Sequence, residues 1–149
     1  MRVTEVFIDA NLLVLLVVGL VDRRLVGSHR RVRAFQPEDY DRLVEMIEND
    51  RKVFVTPNIL TEASNLLESQ DTRFLEKLRE LIEFSQEITI ASTTAAHNSG
   101  FTRLGLTDAG LLEVVSAKRP LITTDFALYR AALQKGEEAA FNFTYTQNL

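Results

Sequence analysis

The chain of 149 residues has no cysteine and only two histidines, His29 and His97. Without cysteine, disulfide bonds, thiolate metal sites and cysteine nucleophiles are excluded. Two histidines are too few for a zinc site built from imidazoles, although a mixed site with carboxylates stays open. The absence of cysteine agrees with a reducing compartment such as the cytosol without requiring it.

Long apolar runs are also missing. The apolar segment 12–21, interrupted only by Gly19, has ten residues, whereas a membrane-spanning helix needs about 20. Glu5 and Asp9 precede that segment and no basic start or small-residue cleavage site is present, so we do not expect it to be a signal peptide. No internal repeat or low-complexity segment occurs. We expect a soluble cytoplasmic protein with a single domain, residues 1–149, which is long enough to bury a sizeable core.

The net charge of −4 at first argues against a nucleic-acid partner. That sum is misleading if several acids are metal ligands, because a bound divalent ion reverses the local sign. Basic residues are concentrated in segment 22–36, which also contains Gly27 and Ser28 and is predicted to be a loop or extension. Its arginines are Arg23, Arg24, Arg30, Arg31 and Arg33. They could bind RNA phosphates, or they could form a solvated face.

Short apolar, β-rich runs alternate with helical stretches along the chain. Strands are predicted at residues 3–8, 52–56, 87–90, 120–123 and 139–145. Helices are predicted at residues 10–21, 37–49, 57–69, 71–85, 92–100, 107–118 and 125–136, with caps at Thr56, Asp71, Ser92 and Thr107. Strands separated by helices imply right-handed crossovers. The predicted fold is α/β, a three-layer α/β/α sandwich with a central parallel sheet of about five strands.

Four carboxylates interrupt or end strongly apolar stretches: Asp9, Glu62, Asp108 and Asp125. Asp9 and Asp125 each follow a predicted strand, where parallel sheets usually form a ligand crevice. Carboxylates near a core are costly unless positive charge compensates them. If the four converge, they raise one another's pKa values and repel unless a cation joins them. Mg²⁺ and Mn²⁺ are hard ions that prefer oxygen ligands, so the pattern predicts a site for one of them.

Each acid also has a purely structural interpretation. Asp9 and Asp125 could be helix N-caps, and Asp108 could be an acid that interacts favourably with the start of its helix. Glu62 lies on or beside the buried stripe of its helix but could occupy a solvated flank. Individually these signals are weak, and it is their combination that favours a shared site.

The sequences around the four acids resemble those of the PIN-domain ribonucleases, and the resemblance spans almost the entire chain. It is carried by Phe7-Ile8-Asp9-Ala10-Asn11, Thr56-Pro57-Asn58-Ile59-Leu60-Thr61-Glu62, Gly105-Leu106-Thr107-Asp108-Ala109, Thr123-Thr124-Asp125-Phe126 and Phe141-Asn142-Phe143. The resemblance implies a PIN-like fold and an endoribonuclease that depends on Mg²⁺ or Mn²⁺. It implies that Asp9, Asp108 and Asp125 bind the metal, that Glu62 binds it or orients the attacking water, and that Asn11 and Thr124 support the site.

A stand-alone domain of this length is similar to the VapC-type toxins of toxin–antitoxin pairs, which implies an RNA substrate, an antitoxin partner and a homodimer. Two other functions stay open. A haloacid-dehalogenase-like phosphatase would need Asp-x-Asp after the first strand, whereas position 11 is Asn. A non-catalytic module would bind RNA, or would use the acids to bind arginines of a protein partner.

Overall fold

Five strands form one parallel sheet in the computed structural model, which describes residues 4–48, 51–67 and 71–144. The strands are β1 (Glu5–Ile8), β2 (Lys52–Val55), β3 (Gln86–Glu87), β4 (Leu121–Thr123) and β5 (Ala140–Asn142). Their order in the sheet is β3-β2-β1-β4-β5, and every neighbouring pair is parallel. The predicted α/β class and the parallel five-stranded sheet are confirmed.

Helices cover both faces of the sheet. They are α1 (Ala10–Val21), α2 (Pro37–Ile47), α3 (Pro57–Leu67), α4 (Thr72–Phe84), α5 (Ser92–Ala96), α6 (Phe101–Leu104), α7 (Leu106–Val114) and α8 (Phe126–Leu133). Helix α1 contacts α2, α3 and α4 on one side, whereas α7 contacts α5, α6 and α8 on the other. The result is the predicted three-layer α/β/α sandwich.

The strand order reverses between β1 and β4. From β1 the chain proceeds outward to β2 and β3, and then crosses back to place β4 against the other side of β1. In open parallel sheets such a reversal leaves a crevice at the carboxyl ends of the two strands, because the connecting helices leave in opposite directions. Asp9 follows β1 and Asp125 comes two residues after β4, so both lie at this crevice.

Helix α1 has apolar side chains on nearly all of its faces, because neighbouring elements cover nearly all of its surface. Its residues from Leu12 to Gly19 are all buried. At Gly19 the ring of Tyr40 from α2 comes so close that a Cβ atom would lie 2.1 Å from Tyr40 Cδ2. Glycine at this position therefore allows α2 to pack against α1. The pattern of segment 10–21 predicted a central helix, and that prediction is confirmed.

The arginine-rich segment 22–36 is a packed loop that contains two short 3₁₀ turns, Arg23–Leu25 and Arg30–Val32. Val26 and Val32 are buried in the hydrophobic core and anchor the segment to it. Its five arginines are exposed. Two of them are ion-paired, since Arg23 contacts Asp41 at 2.7 Å and Arg24 contacts Asp22 at 3.1 Å.

The third strand is shorter and earlier than predicted, covering Gln86–Glu87 where residues 87–90 were expected. The β-rich composition of residues 87–90 indicated a strand. Just beyond β3 the backbone still contacts β2, because Ile88 N donates to Val55 O at 2.9 Å. Strand β3 is at the edge and pairs only with β2, which itself ends at Val55. Within the described ranges, no strand remains to pair with residues 89 and 90.

The predicted helix 92–100 is shorter than expected, because α5 ends at Ala96, and α6 begins only at Phe101, beyond the predicted end. Ser92 is the first helical residue, with Ala91 at the cap position, so its predicted capping role is wrong. Asn98 causes the interruption, because its side-chain oxygen accepts a hydrogen bond from Gly100 N at 2.8 Å and closes a local turn. The predicted caps Thr56 and Asp71 are confirmed, since they accept from Ile59 N and Arg73 N.

Helix α7 begins earlier than predicted, at Leu106 after Gly105, and ends at Val114 instead of residue 118. Gly105 takes the cap position with φ of 88°, a conformation that favours glycine. Thr107 is therefore inside the first turn, and its predicted capping role is wrong. Beyond α7, Ser116 and Arg119 exchange two backbone hydrogen bonds of 3.1 Å in a tight turn.

The ends of α8 and β5 also differ from the predictions. Helix α8 ends at Leu133, before the predicted Gly136, and β5 ends at Asn142, whose side chain accepts from Thr144 N at 3.0 Å. The predicted boundaries at residues 3, 49, 69 and 145 lie outside the described residues. Within the described ranges, no helix combines the length and the apolarity needed to cross a bilayer.

Candidate metal centre

A pocket of about 370 Å³ lies at the carboxyl ends of β1 and β4, and all four predicted acids line it. The acids come from four places in the chain. Asp9 joins β1 to α1, Glu62 is in the second turn of α3, Asp108 is in the first turn of α7, and Asp125 precedes α8. The fold therefore brings together side chains that are up to 116 positions apart in the sequence.

Asp9 is the most buried of the four acids, with 7% of its surface exposed. Its carboxylate accepts three hydrogen bonds: from Leu12 N at 2.9 Å, from Thr123 Oγ1 at 2.5 Å and from Thr124 N at 3.1 Å. Burial raises the pKa of Asp9 above its usual value, and the nearby charge of Asp125 raises it further, although the three hydrogen bonds oppose the shift. Asp9 is both the N-cap of α1 and a wall of the pocket.

Thr123 links two of the acids, and the sequence analysis missed it. Its hydroxyl donates to Asp9 and accepts from Asp125 N at 3.0 Å, and the side chain is fully buried at the end of β4. A signal was present in the sequence, because a threonine that ends an apolar strand needs a hydrogen-bond partner when it is buried. The predicted support from Thr124 comes from its backbone N–H.

We expect Thr123→Val to lower the free energy of unfolding by about 1–3 kcal/mol, because Asp9 Oδ2 loses one of its two donors and Asp125 N loses its acceptor, while the side-chain volume hardly changes. Thr123→Ser keeps the hydroxyl and is the matched control, with a loss of less than about 1.5 kcal/mol from the missing methyl group. Urea denaturation measures both variants. Equal losses in the two variants would show that the hydroxyl contributes nothing.

Asp108 is half-buried in the pocket wall. Burial raises its pKa to about 6, and repulsion from Asp125, Glu62 and Asp9 contributes to the shift. The three other predicted acids are thus close enough to act electrostatically on Asp108. Without a cation, ionisation of this group is disfavoured by desolvation and by like charge together.

Glu62 is exposed at the rim of the pocket and is held by Thr107, whose hydroxyl donates to Glu62 Oε1 at 2.7 Å. This hydrogen bond connects α3 with the first turn of α7, so it fixes Glu62 relative to Asp108. Thr107 is therefore a positioning residue for Glu62. Asn11 is exposed and also lines the pocket, and its predicted support of the carboxylates stays a prediction.

Asp125 is exposed and caps α8, because its Oδ1 accepts from Leu128 N at 3.0 Å. The capping interpretation and the pocket interpretation are therefore both correct for this residue, as for Asp9. Capping uses only part of the acceptor capacity of a carboxylate, which has about four lone-pair sites. The remaining acceptor sites stay available for another ligand.

The donor set fits a hard divalent cation in its chemistry, since the side chains of all four acids offer only oxygen. Among the described residues, however, no group of three or more Asp, Glu, His or Cys side chains is close enough to hold an ion together. Mg²⁺ keeps several of its waters and is usually bound by one or two carboxylates directly. The pocket therefore fits an ion with one or two direct ligands and water between it and the other acids.

The arginine-rich segment is remote from this pocket. Asp9 and Asp22 cap opposite ends of α1, and a helix of that length separates them by about 20 Å at 1.5 Å per residue. Val32 O accepts from Gly27 N at 3.2 Å, which folds the two 3₁₀ turns back on each other. None of the five arginines of this segment is among the residues that line the pocket.

Comparison of this chain with models of protein families, with curated proteins and with solved structures found no match. Membership of the PIN-domain family therefore remains a prediction from the sequence motifs.

Proposed function

We propose that this protein is a metal-dependent endoribonuclease, in which Mg²⁺ or Mn²⁺ in the acidic pocket serves hydrolysis of RNA phosphodiester bonds. The observation that supports it most directly is the convergence of Asp9, Glu62, Asp108 and Asp125 on one pocket at the strand-order reversal. The raised pKa of Asp108 supports it as well, because acids that resist ionisation together are stabilised by a cation.

The four acids have different roles in this proposal. A bound divalent ion would supply a water of lowered pKa and neutralise charge on the phosphoryl oxygens. Asp9, held by three hydrogen bonds, is the best-fixed ligand, and Asp108 and Asp125 contact the ion directly or through water. Glu62, exposed and oriented by Thr107, accepts a proton from the attacking water. The pocket lining contains no serine or histidine that could act as a nucleophile.

We expect Glu62→Gln to reduce RNA cleavage by about 10²-fold or more, because the amide still accepts from Thr107 but cannot take a proton. Glu76→Gln, on the exposed surface of α4, is the control with the same chemical change and should cleave normally. Cleavage of a labelled single-stranded RNA with Mn²⁺ is followed under single-turnover conditions. Normal cleavage by Glu62→Gln would remove this residue from the mechanism.

A binding module is the second candidate, and one observation favours it. The pocket has four acids and no basic residue in its lining, so its charge is complementary to an arginine of a protein partner. Complete absence of RNA cleavage with Mg²⁺ and Mn²⁺ would favour this candidate. A haloacid-dehalogenase-like phosphatase is less well supported, because no lysine or arginine is among the residues that line the pocket. Hydrolysis of a small phosphomonoester in place of RNA would support the phosphatase.

We also propose a cellular role for the protein. As a VapC-like enzyme the protein would act in the cytoplasm as the toxin of a toxin–antitoxin pair, inhibited by an antitoxin and assembled as a homodimer. The resemblance in the four acidic motifs supports this part, and the acidic pocket offers a site for a basic inhibitor side chain.

A further inference from the structure

A groove separate from the acidic pocket lies beside α8. Two cavities of about 260 and 210 Å³ share Arg103, Ala131 and Gln134 in their linings. Because they share these residues, they form one continuous depression between α6 and α8, which we call the α6–α8 groove.

Helix α8 separates the groove from the acidic pocket. Ala127, Arg130, Ala131 and Gln134 line the groove, and their spacing of three, four and seven residues places them on one face of a helix. Asp125 and Leu128, at the start of the same helix, line the acidic pocket. On the other wall, Arg103 lines the groove whereas Leu104 and Gly105 line the pocket. The two depressions therefore adjoin along both walls.

The groove is basic where the pocket is acidic. Its lining includes Arg103, Arg130 and Lys135 and contains no aspartate or glutamate. Lys135 is anchored, because its Nζ donates to Leu112 O at 2.9 Å. Arg103 and Arg130 are exposed, and within the described ranges neither forms an ion pair, in contrast to Arg23, Arg24 and Arg73. The charge of these two arginines is therefore not compensated by an acidic side chain.

An exposed aromatic ring lies beside these cations. Phe126, the residue after Asp125, is 51% exposed, and the guanidinium carbon of Arg130 is 6.0 Å from the centre of its ring. Proteins that bind single-stranded nucleic acids combine a basic groove along the backbone with aromatic rings that stack on bases. Phe126 and the α6–α8 groove place these two features directly next to the acidic pocket.

We propose that the α6–α8 groove binds the sugar–phosphate backbone of a single-stranded RNA, with Arg103 and Arg130 contacting phosphates next to the one held at the acidic pocket. The identity of the ligand rests on the proposed function. The groove would position the substrate across the pocket, and its charge would offset the repulsion between RNA and the acids. The arginine-rich segment 22–36 is then not needed for substrate binding.

The test measures binding of a fluorescein-labelled single-stranded RNA by fluorescence anisotropy, with Mg²⁺ present and all variants made in Asp9→Asn protein to prevent cleavage. Arg103→Ala/Arg130→Ala should weaken binding by about 10-fold or more and reduce the slope of log affinity against log salt by about 1.4, or 0.7 for each lost phosphate contact. Lys52→Ala/Arg79→Ala removes two exposed cations elsewhere on the surface and should leave affinity and slope unchanged. Arg30→Ala/Arg31→Ala tests the rival surface and should also leave both unchanged.

The outcomes separate the groove from the nuclease. Parental affinity and salt slope in Arg103→Ala/Arg130→Ala would overturn the groove proposal, as would failure of the parent protein to bind RNA. RNA cleavage by the wild-type protein would then still support the nuclease. Conversely, weakened binding in the double variant together with no cleavage by wild type would keep the groove as an RNA site and reject the nuclease. Displacement of the RNA by polyglutamate at equal charge concentration would assign the groove to an acidic protein segment and overturn the RNA assignment.

Discussion

Asp9→Asn should abolish Mn²⁺-dependent RNA cleavage while leaving the fold intact. Removal of one fixed electrostatic group from an active site typically costs about 10²–10³ in rate, and Asp9 is also the proposed ligand that the protein holds most firmly. Asparagine caps a helix as well as aspartate does, so α1 keeps its start. Cleavage rates and circular dichroism measure the two effects separately.

The matched control is Asp71→Asn, which makes the same change at the N-cap of α4, outside the pocket. It should cleave RNA at the wild-type rate. In Asp9→Asn the new NH₂ group replaces a carboxylate oxygen that accepts from Thr123 Oγ1, Thr124 N or Leu12 N. Of these three groups, only the threonine hydroxyl can accept a hydrogen bond from the amide. We therefore expect the free energy of unfolding to change by no more than about 3 kcal/mol. Undiminished cleavage by folded Asp9→Asn protein would reject the assignment of the site.

Mn²⁺ should raise the Tm of chelator-treated protein strongly at pH 7 and much less at pH 5. The pKa of Asp108 is raised from 3.8 to about 6 in the folded protein, so the folded state binds a proton more tightly than the unfolded state. Stability without metal therefore falls as the pH rises from about 4 to about 6. A cation compensates the ionised carboxylates, whereas at pH 5 protons compete with it for the site.

At a metal concentration 100 times the Kd, binding adds about 2.7 kcal/mol, which for a chain of this size is a Tm increase of about 5–10 °C. Asp108→Asn should flatten the loss of stability between pH 4 and 6 and reduce the metal-induced increase. Asp41→Asn, outside the pocket, is the control for charge removal. The same metal-induced increase at both pH values, in wild type and in Asp108→Asn, would place the ion elsewhere.

The main elements of the fold follow from local patterns in the sequence. Apolar runs without alternation predict buried parallel strands, and Asp9 directly follows one of them, whereas Asp125 comes two residues after another. The order of the strands does not follow in this way, because it depends on which face each helix covers. That order decides the site, since β4 lies beside β1 and not beside β3. The sequence motifs identified the four acids, whereas their convergence depends on the crossover that places β4 beside β1.

Predictions from the sequence were less accurate where a single residue determines the local structure. Asn98 breaks a helix whose composition is otherwise continuous, and Gly105 starts α7 before the threonine that resembles a cap. Thr107 and Thr123 both form hydrogen bonds with acids that are distant in the sequence. Their partners are 45 and 114 positions away, so no local pattern could have assigned them.

The α6–α8 groove could not be predicted for a similar reason. Arg103 and Arg130 are isolated cations in the sequence, whereas the dense cluster of arginines lies in segment 22–36. In the structure the clustered Arg23 and Arg24 are paired with acids, and α1 separates them from the pocket. Density of charge along the chain was therefore a poor guide to which cations lie near the acids.

The most direct test of a shared cation is a crystal structure of the protein soaked in Mn²⁺, with anomalous diffraction data to locate the ion. We expect an anomalous peak within ligand distance of a carboxylate oxygen of Asp9, Asp108 or Asp125, with the remaining acids reached directly or through water. A well-occupied peak at another surface and none in the acidic pocket would contradict it.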